Sequence, residues 1–238
     1  MSDRVLTDKG EASTTQTQLD GLVVNIELTL ISIIQGVAFY FLGERSREVI
    51  VGLQVIFWPY AITGLLIILL FWSRSLIHTL TVIRWPLDFA HNFMYIGCTL
   101  IETVTFTQLT NPLHWYALNT LFALMLWILF ALDLRMVRRR VSDSSGLVAS
   151  NLYSIVEREQ LINIRLLMPA TVGFNFLAML AVRLWPESLV QENGHVWLAL
   201  IQLAAAIGYL RYVVRFFSRI IPLIGKTREE WRDDVLPK

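Results

Sequence analysis

The chain has 238 residues, of which 55% are hydrophobic and 16% are charged, and its mean hydropathy is +0.55. A charged fraction well below the globular norm of about 25% excludes an ordinary soluble domain, because a core of this size cannot bury so much apolar surface. The single cysteine, Cys98, excludes an intrachain disulfide and any paired-cysteine metal or redox motif. The formal net charge of +1 conceals a strong segregation of charge along the chain.

Six apolar segments reach the length of about 20 residues that a helix needs to cross a bilayer. They are Leu22–Leu42, Ile50–Trp72, Leu87–Gln108, Trp115–Met136, Ile162–Leu184 and Val196–Phe217. Backbone polar groups in hydrocarbon must be satisfied within each segment, so these runs predict helices rather than the strands of a barrel. The predicted fold class is therefore all-α: a polytopic membrane protein with six transmembrane helices in residues 19–219, a polar cytoplasmic tail at 1–18 and a second cytoplasmic tail at 220–238.

Basic residues predict the orientation of the helices. With the N-terminus inside, 17 of the 20 lysines and arginines fall on the cytoplasmic side, and only Arg45, Arg47 and Arg183 fall outside. This positive-inside bias places both termini in the cytoplasm and favours an even number of crossings, in the plasma membrane (the inner membrane of a bacterium). The first 18 residues are polar, which is not the pattern of a signal peptide. The longest connection, 137–160, begins with three arginines and is interpreted as a solvated cytoplasmic connector.

The first apolar segment carries more polar groups than a lipid-facing helix needs. At about 100° per residue it has three stripes. One is polar (Asn25, Thr29 and Ser32), one is acidic (Asp20 and Glu27) on roughly the opposite side, and one is apolar (Ile26, Leu30 and Ile33). The polar stripe either lines a pore or allows close helix packing through hydrogen bonds. Glu27 is interpreted as functional, because an ionisable group at membrane depth normally faces other helices or water.

The third segment carries a second polar stripe at three- and four-residue spacing. Its members are Asp88, His91, Tyr95, Cys98 and Glu102. One hypothesis is a proton relay or water-lined path, because histidine titrates near neutral pH. The alternative is an internal hydrogen-bond network that fixes helix packing. Glu102 lies deepest in the predicted membrane, whereas Asp88 lies near the interface.

The remaining polar residues carry weaker signals. Arg211, Arg215 and Arg219 run off the cytoplasmic end of the last segment, where basic side chains reach lipid head groups. Asp133 is interpreted as local structure near the end of the fourth segment, and His78 as a helix-end residue. The chain contains no nucleophile elbow, no His-Glu-x-x-His and no phosphate-binding glycine loop. We therefore expect no enzymatic activity, no cofactor, no metal site and no nucleic-acid partner.

The order of these features resembles the bacterial six-helix members of the endolysosomal potassium channel family. Gln18-Leu19-Asp20-Gly21 followed by Thr29-Leu30 is similar to that family's opening motif, Arg-x-x-x-Phe-Ser-Asp-Gly, and its Thr-Leu-rich run. Further similar stretches are Phe57-Trp58-Pro59-Tyr60 with Leu70-Phe71-Trp72 in the second helix, and Tyr116-Ala117-Leu118 with Arg135-Met136-Val137-Arg138 in the fourth. The chain departs from the pattern at Thr14, which replaces the arginine, at Leu19, which replaces the serine, and at Ser75-Leu76, which replaces paired histidines.

The resemblance implies a homotetramer with a central pore for monovalent cations. In that family the first helix lines the pore, and large apolar residues at spacing i, i+4, i+7 close it. Alignment on Asp20 would place Asn25, Thr29 and Ser32 at those positions, whereas alignment on Thr29 places Ile26, Leu30 and Ile33 there. The second alignment is preferred, because a hydrophobic constriction can gate by dewetting.

Three functional hypotheses follow. The leading one is an oligomeric cation channel of the potassium type, lined by the first transmembrane helix and surrounded by the lipid bilayer. The second is a non-conducting membrane interaction or effector subunit that works through its helices and the connector at 137–160. The third is a proton-coupled small-solute carrier that uses Glu27, Asp88, His91 and Glu102.

Overall fold

The structure is a computed structural model that describes residues 2–81, 89–143 and 147–235. Side chains are described within 18–81, 90–141 and 150–227, apart from positions 20 and 140. The helices in these ranges are α1 (Ser2–Val51), α2 (Trp58–Thr81), α3 (Phe89–Phe106), α4 (Pro112–Asp143), α5 (Leu147–Ile162), α6 (Met168–Leu184) and α7 (His195–Val235). A 3-10 turn, Val55–Phe57, precedes α2, and π-helical turns Asn163–Leu167 and Glu187–Gln191 flank α6. The described residues contain no strand, so the all-α prediction is confirmed for them.

Among the described residues, five stretches are long and apolar enough to cross a membrane. They are Gly21–Val51, Val55–Thr81, Pro112–Arg139, Ser150–Leu184 and His195–Thr227. The helix α3, predicted as a further span, is not one of them: it has 18 described residues, which include His91, Asn92 and Glu102. Its crossing of the membrane, the total of six spans and the cytoplasmic termini therefore stay predictions.

The helices pack in an order that leaves α1 at the edge. The helix α4 packs against α3, α5 and α6, while α2 packs against α7 and α1. The principal contacts of α1 are with α2 and α3. Its buried residues, such as Val23, Ile31, Ala38 and Leu42, recur at three- and four-residue spacing and form one stripe. More than half of the circumference of α1 is consequently left uncovered within one protomer.

Apolar side chains fill the bundle in three clusters. Tyr60, Trp115 and Tyr116 dominate one end, where α2, α4 and α7 begin. Phe71 and Phe122 pack with residues of α1 and α3 in a middle cluster. A third cluster joins the later parts of α4, α5 and α7. All three clusters contain residues of both α2 and α4, which makes these helices the frame against which the polar groups are held.

The connector predicted at 137–160 differs from a solvated loop. Its described residues continue α4 to Asp143 and then form α5. Leu152, Tyr153 and Val156 are each about 2% exposed and lie against α4 and α7, because their spacing places them on one helix face. The π-helical turn Asn163–Leu167 then carries the chain from α5 directly into α6.

The start of the second span also differs from its predicted position at Ile50. No proline stands between Leu42 and Val51, and α1 continues through this stretch, across Gly43. The chain reverses at Leu53, whose φ of 49° lies in the left-handed region, and α2 begins at Trp58 with Pro59 in its first turn.

Candidate functional site

The helix α1 presents two opposite faces of different character. Its inner face carries Glu27 and Gln35, which are 4% and 2% exposed. Its outer face carries the polar stripe Asn25, Thr29 and Ser32, which are all exposed in the protomer. The Asp20 side chain lies outside the described side chains. The acidic and polar stripes of the first helix therefore face different surroundings: the bundle interior for Glu27, and the protomer exterior for the polar stripe.

The polar stripe of α3 faces the interior. His91, Tyr95, Cys98 and Glu102 are buried, and each of them is less than 8% exposed. Asp88, the first member of the predicted stripe, lies outside the described residues. The stripe meets the inner face of α1, so that the two most polar helix faces of the chain pack against each other.

Glu102 is held by α1. Its Oε2 accepts a hydrogen bond from Nε2 of Gln35 at 3.4 Å, and the same Nε2 lies 3.4 Å from the hydroxyl of Tyr95. The other carboxylate oxygen, Oε1 of Glu102, has no hydrogen-bond partner among the described residues. A buried carboxylate with one unpaired oxygen is costly in a low-dielectric interior, unless a proton, a water or a cation meets it.

A second group of ionisable side chains lies one helical turn or more along the bundle from Gln35. We call it the polar chamber and define it by Glu27, His78, His91 and Asp133. Nε2 of His91 lies 3.0 Å from Oδ1 of Asp133, and Nδ1 of His78 lies 3.4 Å from the same oxygen. The two imidazole rings stack with their centroids 4.3 Å apart.

The chamber encloses a small space. Its volume is about 20 Å³, enough for one water molecule or one ion. All four side chains that define the chamber line this space, and each is less than 7% exposed. Oε1 of Glu27 has no hydrogen-bond partner in the described part of the chain. Nε2 of Gln160 approaches the other oxygen of Asp133, Oδ2, at 3.5 Å from α5.

An ion pair closes the chamber on the side of α5. Nη1 and Nη2 of Arg74 contact the two carboxylate oxygens of Glu159 at 2.5 and 2.8 Å, a bidentate arrangement. Nδ2 of Asn163 donates to Oε1 of Glu159 at 2.6 Å, and the hydroxyl of Tyr209 donates to Oδ1 of Asn163 at 2.8 Å. The guanidinium of Arg74 also lies over the ring of Phe130, 5.2 Å from its centroid. The network ties α2 to α5, α7 and α4.

A larger cavity of about 370 Å³ lies beyond the ion pair, among α2, α4, α6 and α7. Its lining is mostly apolar and includes Phe122, Phe174 and Ile201. Its amide groups are already bonded, since Gln202 accepts from the indole of Trp115 at 2.8 Å and donates to Asn175 at 2.9 Å. Three residues line both this cavity and the polar chamber: Phe71, Arg74 and Phe130.

The outer face of α1 combines small polar and large apolar residues. The hydroxyls of Thr29 and Ser32 donate to the backbone oxygens of Asn25 and Leu28 at 2.8 Å, so the helix satisfies them locally. Ile26 and Ile33 are 48% and 63% exposed, whereas Leu30 is half-buried. Both of the stripes proposed for a pore are thus on the uncovered side of the helix.

Sequence reasoning missed four members of the buried network. Asp133 was interpreted as local structure and His78 as a helix-end residue, yet both are buried at the centre of the polar chamber. Arg74 and Glu159 were counted only as a basic residue and as part of a connector. The available signal was that Arg74 and His78 stand four residues apart within an apolar helix, which places two ionisable groups on one face.

Comparison of the chain with protein-family models, with curated proteins and with solved structures found no match.

Proposed function

We propose that this chain is the subunit of an oligomeric cation channel of the potassium type, whose pore is lined by the outer face of α1. The observation that carries the proposal is the uncovered face of α1, on which Asn25, Thr29 and Ser32 stand beside Ile26 and Ile33. The polar and the apolar residues lie side by side along about two turns of the uncovered face.

The first step of the argument concerns the cost of that face in lipid. An asparagine amide that faces hydrocarbon has no hydrogen-bond partner there. Transfer of such an unpaired polar group from water to hydrocarbon costs about 4–8 kcal/mol. Since α1 lies at the edge of the bundle, another protein surface or water must supply the hydrogen-bond partners of the Asn25 amide. A symmetric assembly around α1 supplies both.

The second step concerns closure of the pore. Ile26, Leu30 and Ile33 recur at spacing i, i+4, i+7 and lie on the flank of the same uncovered face. Copies of these side chains around a symmetry axis form an apolar ring that water leaves readily, and such a ring gates by dewetting. The polar stripe then lines the wider part of the pore or packs against the neighbouring subunit.

The inner face of α1 has a supporting role in this proposal. Glu27 and Gln35 hold the helix against α3 through the polar chamber and Glu102, and they do not face the pore. A rigidly held inner face fixes the rotation of α1 and therefore the direction in which its outer face points.

Cysteine cross-linking tests the assembly. In a background with Cys98→Ala, Ile33→Cys is expected to form disulfide-linked dimers under mild oxidation in liposomes, because symmetric copies of the outer face approach one another. Leu177→Cys on α6, 65% exposed against 63% for Ile33, is the matched control and is expected to remain monomeric. Equal cross-linking at both positions would contradict a specific interface along α1.

Flux measurements test conduction. Purified protein in planar bilayers or liposomes is expected to pass potassium, and Ile26→Asn or Leu30→Ser is expected to raise the leak several-fold, because each makes the ring easier to wet. Leu177→Ser serves as the control for a polar group on an outward face. Folded, cross-linkable protein without current would refute conduction and favour the interaction or effector subunit.

A second candidate function, a proton-coupled small-solute carrier, is favoured by one specific observation. The polar chamber and the cavity of about 370 Å³ share three lining residues, Phe71, Arg74 and Phe130. A change of protonation in the chamber therefore acts on side chains that also form the wall of the cavity. The carrier predicts uptake of a small solute with an apolar body, such as labelled tryptophan, driven by a pH gradient and abolished by His91→Gln, a substitution within the chamber. Potassium current that persists in His91→Gln, with no such uptake by the unaltered protein, would leave the channel as the function.

A further inference from the structure

We propose that the polar chamber is a binding site for one divalent first-row transition-metal ion, held by Nδ1 of His78, Nε2 of His91 and a carboxylate oxygen of Asp133, with Glu27 lining the same space as a second, charge-balancing carboxylate. This proposal does not depend on conduction. It follows from three observations: the spacing of the donor atoms, the balance of buried charge, and the unpaired oxygen of Glu27.

The donor atoms have the spacing of a coordination sphere. In tetrahedral sites with metal–nitrogen and metal–oxygen bonds of about 2.0–2.1 Å, neighbouring ligand atoms lie about 3.3 Å apart. The two imidazole nitrogens stand 3.0 and 3.4 Å from Oδ1 of Asp133. Ligand atoms of the three residues all lie within 4.8 Å of one another. Three side chains from α2, α3 and α4 thus converge on one point.

The buried charges call for a divalent cation. Glu27 and Asp133 bring two carboxylates into the chamber, each residue 4% exposed. The nearby guanidinium of Arg74 is already engaged by both oxygens of Glu159. Two carboxylates, two neutral imidazoles and one divalent ion sum to zero charge, which avoids the large penalty of an unbalanced charge in a membrane interior.

The helix α1 contributes a further carboxyl group to the chamber. Glu27 lines the same space of about 20 Å³ as His78, His91 and Asp133, and its Oε1 has no hydrogen-bond partner among the described residues. A buried carboxyl oxygen without a donor, in the space that the three ligands also line, is a group that a metal ion in this space would stabilise.

The surrounding residues orient the ligands. Gln160 approaches Oδ2 of Asp133 at 3.5 Å, which leaves Oδ1 for the ion, and Asn92 lies 3.4 Å from Nδ1 of His91, which leaves Nε2. Such outer contacts fix carboxylate and ring orientation in metal sites. Two imidazoles with carboxylates suit Zn²⁺ and Fe²⁺ among the divalent metals.

The location permits loading from water. Asp133 stands 21 residues after Pro112, the first residue of α4, which is about 32 Å along the axis at about 1.5 Å per residue. His78 lies in the last turn of α2. The chamber therefore lies near the end of the bundle that the basic residues assign to the cytoplasm. Bound metal would clamp α1 to α2, α3 and α4.

The test measures metal binding by the full chain in detergent, after removal of metal with a chelator. Elemental analysis by mass spectrometry is expected to find one Zn²⁺ per chain after Zn²⁺ is added back and excess metal is removed. Co²⁺ in its place is expected to show the intense visible absorption of a four-coordinate site. Asp133→Asn and His91→Gln are expected to weaken binding by at least 100-fold, and Gln160→Leu by about 10-fold, as an orienting residue does. His114→Gln, at an exposed histidine outside the chamber, is the matched control and is expected to bind normally.

Several results would overturn the site. Loss of binding in His114→Gln but not in His91→Gln would identify adventitious surface binding. Failure of the wild-type chain to bind Zn²⁺ or Co²⁺ would show that protons, rather than a metal, balance the chamber. If Asp133→Asn does not fold, His78→Gln is used in its place. The second measurement is the rise in melting temperature on addition of Zn²⁺, which is expected to be lost in His78→Gln and kept in His114→Gln. A rise that persists in His78→Gln would place the bound metal outside the chamber.

Discussion

Removal of one partner of the Arg74–Glu159 ion pair is expected to destabilise the bundle strongly. The side chains are 6% and 3% exposed, and Nη1 and Nη2 of Arg74 donate to Oε1 and Oε2 of Glu159 respectively. Glu159→Leu leaves the guanidinium of Arg74 buried without its counter-ion. Arg74→Met leaves the carboxylate of Glu159 with only the amide of Asn163 as a side-chain donor.

The magnitude follows from the burial of the pair. Breaking a buried, hydrogen-bonded ion pair by removing one member costs about 3–5 kcal/mol, because the remaining charge stays desolvated. Replacing both members by apolar residues of similar volume is often neutral. In the double variant Asn163 loses one hydrogen bond, which is worth about 1 kcal/mol. We therefore expect each single variant to lose about 3–5 kcal/mol and Arg74→Met/Glu159→Leu to lose only about 1 kcal/mol.

The assay is unfolding of purified protein in mixed micelles as the fraction of denaturing detergent is raised, followed by tryptophan fluorescence. The matched control is the pair Arg138–Glu157, in which Nε and Oε1 stand 2.8 Å apart but the side chains are 57% and 27% exposed. Arg138→Met is expected to change the free energy of unfolding by less than about 1 kcal/mol, since exposed pairs contribute little.

A specific outcome would refute the reasoning. If the double variant lost as much stability as the two single variants together, the losses would come from the packing of each long side chain and not from an orphaned charge. The coupling energy between the two substitutions would then be near zero.

Three further predictions concern packing, a buried hydrogen bond and the cysteine. A Cβ at Gly64 would come within 2.8 Å of a leucine of α1 and 3.2 Å of a phenylalanine of α3. Gly64→Ala is therefore expected to lower the free energy of unfolding by about 1–3 kcal/mol in the same assay. The control Gly208→Ala, at a glycine with open space around it, is expected to be neutral or stabilising. Tyr60→Phe removes the hydroxyl that lies 2.9 Å from Nδ1 of buried His195, and a loss of about 1–3 kcal/mol is expected; an unchanged midpoint would show that water replaces the hydroxyl. Cys98 is fully buried, so a maleimide is expected to label it only after denaturation, and rapid labelling of the folded protein would contradict the packing of α3.

Much of the helical framework follows from local pattern. Long apolar runs predict helices because a spanning backbone must satisfy its own polar groups, and five such helices are present. Three- and four-residue spacing assigns His91, Tyr95, Cys98 and Glu102 to one face, and that face lies inside. The prediction of a solvated connector at 137–160 was wrong, because the apolar face of α5 is short and interrupted by charged residues. Only the contacts of α5 with α4 and α7 show that it is a packed helix.

The set of residues that form the polar chamber could not be predicted from the spacing of residues along the sequence. Spacing along one helix shows which side chains share a face, but not which face of which other helix they meet. His78 and Asp133 are 55 residues apart in the chain, and Glu27 is farther still from Asp133. Taken alone, His78 and Asp133 resemble ordinary residues near the ends of helices, and only Glu27 stands out by its position within an apolar segment.

The amino-acid sequence by itself predicted the membrane class, the long apolar helices and which residues share a helix face, since these depend on the length and periodicity of apolar runs. Only the tertiary structure decided that Glu27 turns inward while Asn25 and Ile33 turn outward, and that two histidines meet two carboxylates in one enclosed space. The physical reason is that the rotation and order of packed helices are set by the fit of many side chains at once, and this fit has no counterpart in the spacing along any single helix.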